Sequence, residues 1–182
     1  AWASRPSQPL PPEDVLDALR RAAQPQAQRG RGEHRRARHV ACRHVGALHD
    51  LPDLVHREIA EGHEVGNHTM THRGWLDMSV SDALSEITQA QDTITSIAGQ
   101  APVFFRPPRG ENTNATAEAI KESNLPLAMW TIGVEHHDSG SAQAEADRVA
   151  AAVGPGTIIL AHDGRLNRSE TVDALRILLD EL

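Results

Sequence analysis

An α/β fold built from parallel βαβ units is what this 182-residue sequence predicts, and three observations carry the prediction. From Leu51 onward, apolar runs of strand length alternate with amphipathic stretches of helix length. Three of the runs end in polar groups of a functional type. Val65 and Gly66 lead into Asn67-His68-Thr69-Met70-Thr71-His72, Phe104 and Phe105 into Arg106-Pro107-Pro108-Arg109-Gly110, and Thr157 to Ala161 into His162-Asp163. A parallel sheet gathers the carboxyl ends of its strands on one side, so such groups are expected to meet there. The length suits one domain, residues 1–182, with a real core, and is too short for two ordinary ones.

In chain order, residues 1–12 are rich in Pro and Ser and read as irregular chain. Pro11, Pro12, Glu13 and Asp14 then open a helix through Arg21, with proline and acids in its first turn and Val15, Leu16 and Leu19 on one stripe. Residues 22–50 are mostly Gln, Arg, Gly, Ala and His, so neither a buried strand nor an amphipathic helix is read there. His34, His39, His44 and His49 recur every five residues, a step that scatters side chains around a helix rather than gathering them.

Residues 51–60 form a helix with Leu54, Val55 and Ile59 on its buried stripe, ended by Gly62. A strand at 63–67 follows. Residues 81–98 make a long helix capped by Ser81, with Leu84, Ile87, Ile94 and Ile97 facing inward. The remaining expectations are strands at 103–105, 125–132 and 157–161, and helices at 112–123, 141–153 and 169–182.

The charge is unevenly spread. The net charge is −7, yet residues 20–43 hold eight arginines against the single acid Glu33. The acidic remainder argues against a dedicated nucleic-acid binder, because phosphate contacts need a basic surface. The arginine run has two readings, a solvated segment and a polyanion-binding arm, and its lack of interleaved aromatics favours the first. Cys42 is the only cysteine, so no internal disulfide forms. No apolar run approaches the ~20 residues of a membrane span, and no charged-then-apolar leader is visible.

His68 and His72 are four residues apart. If the chain coils after Asn67, their Cβ atoms lie about 6 Å apart on one face, within reach of a shared borderline cation such as Zn²⁺.

With Gly62-His63-Glu64-Val65-Gly66-Asn67-His68-Thr69-Met70-Thr71-His72, then Phe105-Arg106-Pro107-Pro108-Arg109-Gly110, then Gly156 to Asp163 in that order, the chain resembles the polysaccharide deacetylase family, the domain shared with chitooligosaccharide deacetylases. The resemblance runs from about Leu51 to the end. It implies an incomplete or distorted (β/α) barrel and a metal-dependent hydrolase. The reaction implied is removal of acetyl groups from N-acetylated or O-acetylated polysaccharides such as peptidoglycan or chitin oligomers. The runner-up is a non-catalytic glycan-binding barrel of the same fold. His68 and His72 become metal ligands and His162 the general acid, with Arg106 orienting the base carboxylate. Pro107, Pro108 and Gly110 shape the groove, Leu160 lines the acetyl pocket and Trp130 lines the groove. Zn²⁺ is the implied ion, with Co²⁺ and Mn²⁺ as alternatives. The implied location is extracellular or at the cell wall.

The family's aspartate pair, one a metal ligand and one the base, would stand before the first helix, where Ala3-Ser4-Arg5-Pro6-Ser7 holds no acid. Stretches of residues 1–50 out of register with the family, by divergence or a reading-frame error, account for this and for the missing second strand. A barrel of the family adds one more strand after 169–182, so the carboxyl end is expected to be truncated. For His162, Glu135 and Asp138 are the carboxylates that would fix its tautomer, and the spacing does not choose between them. Asp163 would point to the opposite face of a continuing strand.

Overall fold

The computed structural model describes residues 40–43, 52–135, 140–163 and 167–182, the first of these segments by its backbone. The helix expected at 11–21, most of the arginine run, His34, His39, His44, His49, His136, His137 and Asp138 lie outside the described residues. The chain divides into two compact units, one formed by Arg38–Met129 and one that includes Trp130–Leu182.

The first unit opens with β1 (Val40–Arg43), which pairs in parallel with β2 (Glu64–Asn67), Val40 opposite Glu64 and Arg43 opposite Asn67. A strand therefore forms inside the segment where the composition showed none. Its partner is supplied from more than twenty residues away, so no local pattern has to announce it. Between them runs α1 (Pro52–Ala60), with Asp53 in its first turn and Arg57 in its last, each matching the helix dipole. Val55 is buried, as its stripe predicts, and Gly62 turns the chain into β2 with φ 84°.

After β2 the parallel pattern continues residue by residue. Asn67 N–H donates to Phe104 O at 3.1 Å and Arg106 N–H to Asn67 O at 2.9 Å, while Phe105 N–H donates to Pro126 O and Ala128 N–H to Phe105 O, both at 2.8 Å. The strand expected at 103–105 is thus reduced to parallel bridges at Phe105, to Asn67 on one side and Leu127 on the other. Val103 is exposed.

The long helix α2 (Val80–Ala98) begins one residue earlier than expected. Its cap is Ser79, not Ser81: Ser79 Oγ accepts from Asp82 N–H at 3.2 Å. Ile87 and Ile94 are buried on its inner face. Helix α3 (Asn114–Ser123) starts at a capping box in which Thr113 and Thr116 satisfy each other's backbone, and it ends at Asn124 with φ 57°. Among the described residues two apolar clusters hold the unit together. Val55, Val65, Ala90 and Ile94 form one, and Trp75, Ala83, Ile87, Phe105, Ala119 and Ile120 the other.

In the second unit β3 (Ile132–Gly133) pairs in parallel with β4 (Ile159–Leu160). The strand expected at 125–132 is divided: Leu127 pairs in the first unit and Ile132 in the second. Helices α4 (Ala142–Ala150) and α5 (Ser169–Glu181) pack together over Val134, Ala146, Val149, Ala174 and Leu178. Ser141 caps α4 by accepting from Ala144 N–H at 3.2 Å. Among the described residues no helix is long and apolar enough to cross a membrane.

Candidate functional site

The carboxyl end of β2 places the histidine pair. Asn67 is fully buried, and its side chain is used three ways: Nδ2 donates to Ile87 O and to Gln91 Oε1, both at 2.9 Å, and Oδ1 accepts from Thr69 N–H at 3.0 Å. The last bond folds the chain back at once, so residues 68–74 form a tight loop and not the helix that the four-residue spacing suggests. Thr69 at φ 71° and His72 at φ 57° both take the left-handed conformation, which costs about 1 kcal/mol or more for residues with a Cβ. The loop is held in return. Thr69 Oγ1 accepts from His72 N–H at 3.0 Å, and Glu86 on α2 accepts from both N–H and Oγ1–H of Thr71 at 2.8 Å.

The outcome is the convergence the spacing called for, reached by another backbone path. The imidazole centroids of His68 and His72 are 4.8 Å apart, edge to face at 68°. His68 Nδ1 lies 2.6 Å from Arg106 O. A carbonyl can only accept, so Nδ1 carries a proton, and in the neutral ring this leaves the lone pair on Nε2, the arrangement that suits a metal-binding imidazole. Arg106 is buried, and its Nε donates to Ala128 O at 2.6 Å. The strand-end stretch thus brings His68, His72 and Arg106 together. Pro107 and Pro108 follow as buried residues, and a short turn over Pro108–Gly110 places Arg109 at φ 59° and Gly110 at φ 72°.

Two imidazoles with one tautomer already set fit part of a metal's donor set. Among the described residues no group of three His, Cys, Asp or Glu side chains is placed to hold an ion. Residues 3–7, where the resemblance would put the third ligand, lie outside the described residues.

The second unit carries His162, two residues beyond β4. Glu135 stands beside it, two residues beyond β3. Glu135 Oε1 accepts from His162 N–H at 2.8 Å, and His162 Nδ1 lies 3.2 Å from each carboxylate oxygen. Burial pushes the Glu135 carboxyl up, but the hydrogen bonds and charge of His162 together outweigh it and hold the carboxyl below its ordinary value. Of the two carboxylates that the sequence left open, Glu135 is in contact with His162; Asp138 lies outside the described residues. The register supplies the missing signal: Gly133 pairs with Leu160, so positions 135 and 162 are the same two steps past their strands. Leu160 and Trp130 are both partly buried in this unit.

Comparison with known proteins gives these two clusters a context. The profile of the family described as polysaccharide deacetylase matches residues 15–129. The match reaches upstream of Leu51, where the resemblance read from the motifs began. A peptidoglycan-N-acetylglucosamine deacetylase of Bacillus cereus is 31% identical over 135 residues, 72% of this chain and 48% of the relative. A chitooligosaccharide deacetylase of Bradyrhizobium is 32% identical over 143 residues, 72% of this chain and 65% of the relative. The solved structure of peptidoglycan deacetylase PdaC from Bacillus subtilis superposes with a TM-score of 0.72 at 26% identity, covering 93% of this chain and 74% of that one. The chain spans about half the length of the first of these relatives.

Proposed function

The chain belongs to the polysaccharide deacetylase family, and from that premise we propose that it is a metal-dependent hydrolase removing acetyl groups from N-acetylated glycans such as peptidoglycan or chitin oligomers, or from O-acetylated polysaccharides. The observation that carries the reading is the His68–His72 pair, 4.8 Å between ring centroids, with the His68 tautomer set by Arg106 O. His68 and His72 would be two of the three protein ligands usual for a catalytic ion. When bound, a divalent cation, Zn²⁺ by default and Co²⁺ or Mn²⁺ as alternatives, supplies Lewis-acid polarisation of the acetyl carbonyl and a more acidic water.

His162 is the general acid. Glu135 occupies its Nδ1 side, so the proton delivered to the leaving nitrogen or oxygen leaves from Nε2. Arg106 is assigned to the base carboxylate, Pro107, Pro108 and Gly110 to the groove wall, Leu160 to the acetyl pocket and Trp130 to the groove lining. The fold in this proposal is the family's (β/α) barrel, incomplete or distorted, as a single domain. An acetylated glycan substrate supports a location that is extracellular or at the cell wall.

A second reading, glycan binding without hydrolysis, is favoured by one observation. Residues 3–7 hold no acid where the family's aspartate pair would stand, and losing a general base removes about 10² to 10⁴ in rate. Titration of the purified chain with Zn²⁺, with acetate release from N-acetylglucosamine oligomers measured beside a His68→Ala variant, separates the readings. We expect weak zinc binding and slow release that His68→Ala lowers further. Oligomer binding with no His68-dependent release would establish the second reading. Tight one-to-one zinc binding with fast, His68-dependent release would show that another carboxylate completes the site.

A further inference from the structure

Among the described residues the Glu135 carboxylate meets His162 and the guanidinium of Arg168, of which the proposed mechanism uses only the first. Arg168, at the head of α5, brings Nη1 to 3.8 Å from Oε1, and Thr171 in the first turn of the same helix donates its hydroxyl to that oxygen at 3.4 Å. The Arg168 side chain is 23% exposed, and its Nε is shielded from solvent and meets no acceptor among the described residues. Its guanidinium charge is permanent and is directed at the same oxygen that accepts from His162 N–H.

A carboxylate beside an imidazole favours the protonated ring. A second cation on that carboxylate opposes the effect, because it repels the imidazolium and shares the negative charge. We propose that Arg168 is a positioning residue for the acid step: it shares Glu135 with His162, so that the imidazolium gives up its Nε2 proton more readily to the leaving group. The inference rests on the reading of His162 as the general acid. Among the described residues, other charged groups of this unit include Asp163, next to His162 in the chain, and Arg148, whose Nη2 is engaged by Gly133 O at 2.6 Å, Val134 O at 2.9 Å and Glu145 Oε2 at 2.8 Å.

The test follows the His162 ring resonances against pH by NMR in the full chain labelled at histidine, assigned with a His162→Gln variant. Arg168→Gln should move the midpoint of the His162 titration upward by about half to one pH unit. Arg168→Lys, which keeps the charge, should stay close to the parent, and Glu135→Gln should move the midpoint downward. Arg168→Met, which keeps the aliphatic stem, repeats the measurement if the glutamine variant does not fold, with circular dichroism as the check on folding. An unmoved midpoint in a folded Arg168→Gln or Arg168→Met chain overturns the inference, as does a lysine variant that behaves like glutamine. None of these readouts needs turnover. Absent acetate release alongside a shifted midpoint would count against the hydrolase reading and leave the charge sharing standing.

Discussion

At Glu135, burial and hydrogen bonding act in opposite directions, and the direction of the balance has a measurable consequence. Its folded carboxyl ionises below its ordinary value because the bonds and charge from His162 exceed the burial cost. The unfolded chain therefore binds more protons at this position than the folded chain does when acid is added. The stabilisation is complete above the ordinary glutamate range, about pH 4.3 and upward, and is lost as the pH falls through the lower folded value. A Glu135→Gln variant lacks that dependence. Urea unfolding of the two chains at a series of pH values should show the parent's advantage at pH 6 and its decline toward pH 3. An advantage that grows on acidification would mean the carboxyl is held protonated in the fold. The pairing itself is half legible: the sequence names Glu135 and Asp138 as candidates, and the contact of Glu135 with His162 follows from the register of β3 on β4, which is a tertiary fact.

At the scale of elements, β2 shows why periodicity reads positions well and backbone paths poorly. The pattern around residues 63–67 located the strand, and the four-residue spacing correctly paired His68 with His72. The pairing was conditional on the chain coiling after Asn67, whereas the pair is brought together by a left-handed loop set by Asn67, Thr69 and Glu86. Side-chain acceptors drawn from α2 do not appear in any local pattern. In the same way β1 was missed because its hydrogen bonds come from β2, and the strand at 103–105 was overextended because Phe105 alone has partners on both sides. Gly66 offers a sharp test of how closely β2 is packed. A Cβ there would overlap Cε2 of the Phe104 ring and lie 2.8 Å from Cδ2 and 2.9 Å from Cζ. Gly66→Ala must displace that ring from beside the bridges at Phe105, at a cost of about 1 to 3 kcal/mol. Urea denaturation should show the midpoint lowered at unchanged slope, and an unaltered midpoint would mean that Phe104 moves aside freely.

At the scale of the whole molecule, the proposed reaction draws on both clusters: the His68–His72 pair for an electrophilic ion, and the imidazole of His162 beside Glu135 for proton delivery. Each follows the carboxyl end of a parallel strand. If both serve a single hydrolysis, removing either should reduce it to nearly the same floor, because groups that act as a unit in one transition state are strongly non-additive. His68→Ala and His162→Ala should each lower acetate release from N-acetylglucosamine oligomers by about 10² to 10⁴. The double variant should then be no slower than the slower single one. Losses that multiply instead would show two independent contributions. A His162→Ala chain with parental turnover would remove His162 from the reaction and leave the histidine pair to be explained alone. The comparison needs no knowledge of the third ligand or of the base, since both are held constant across the four chains.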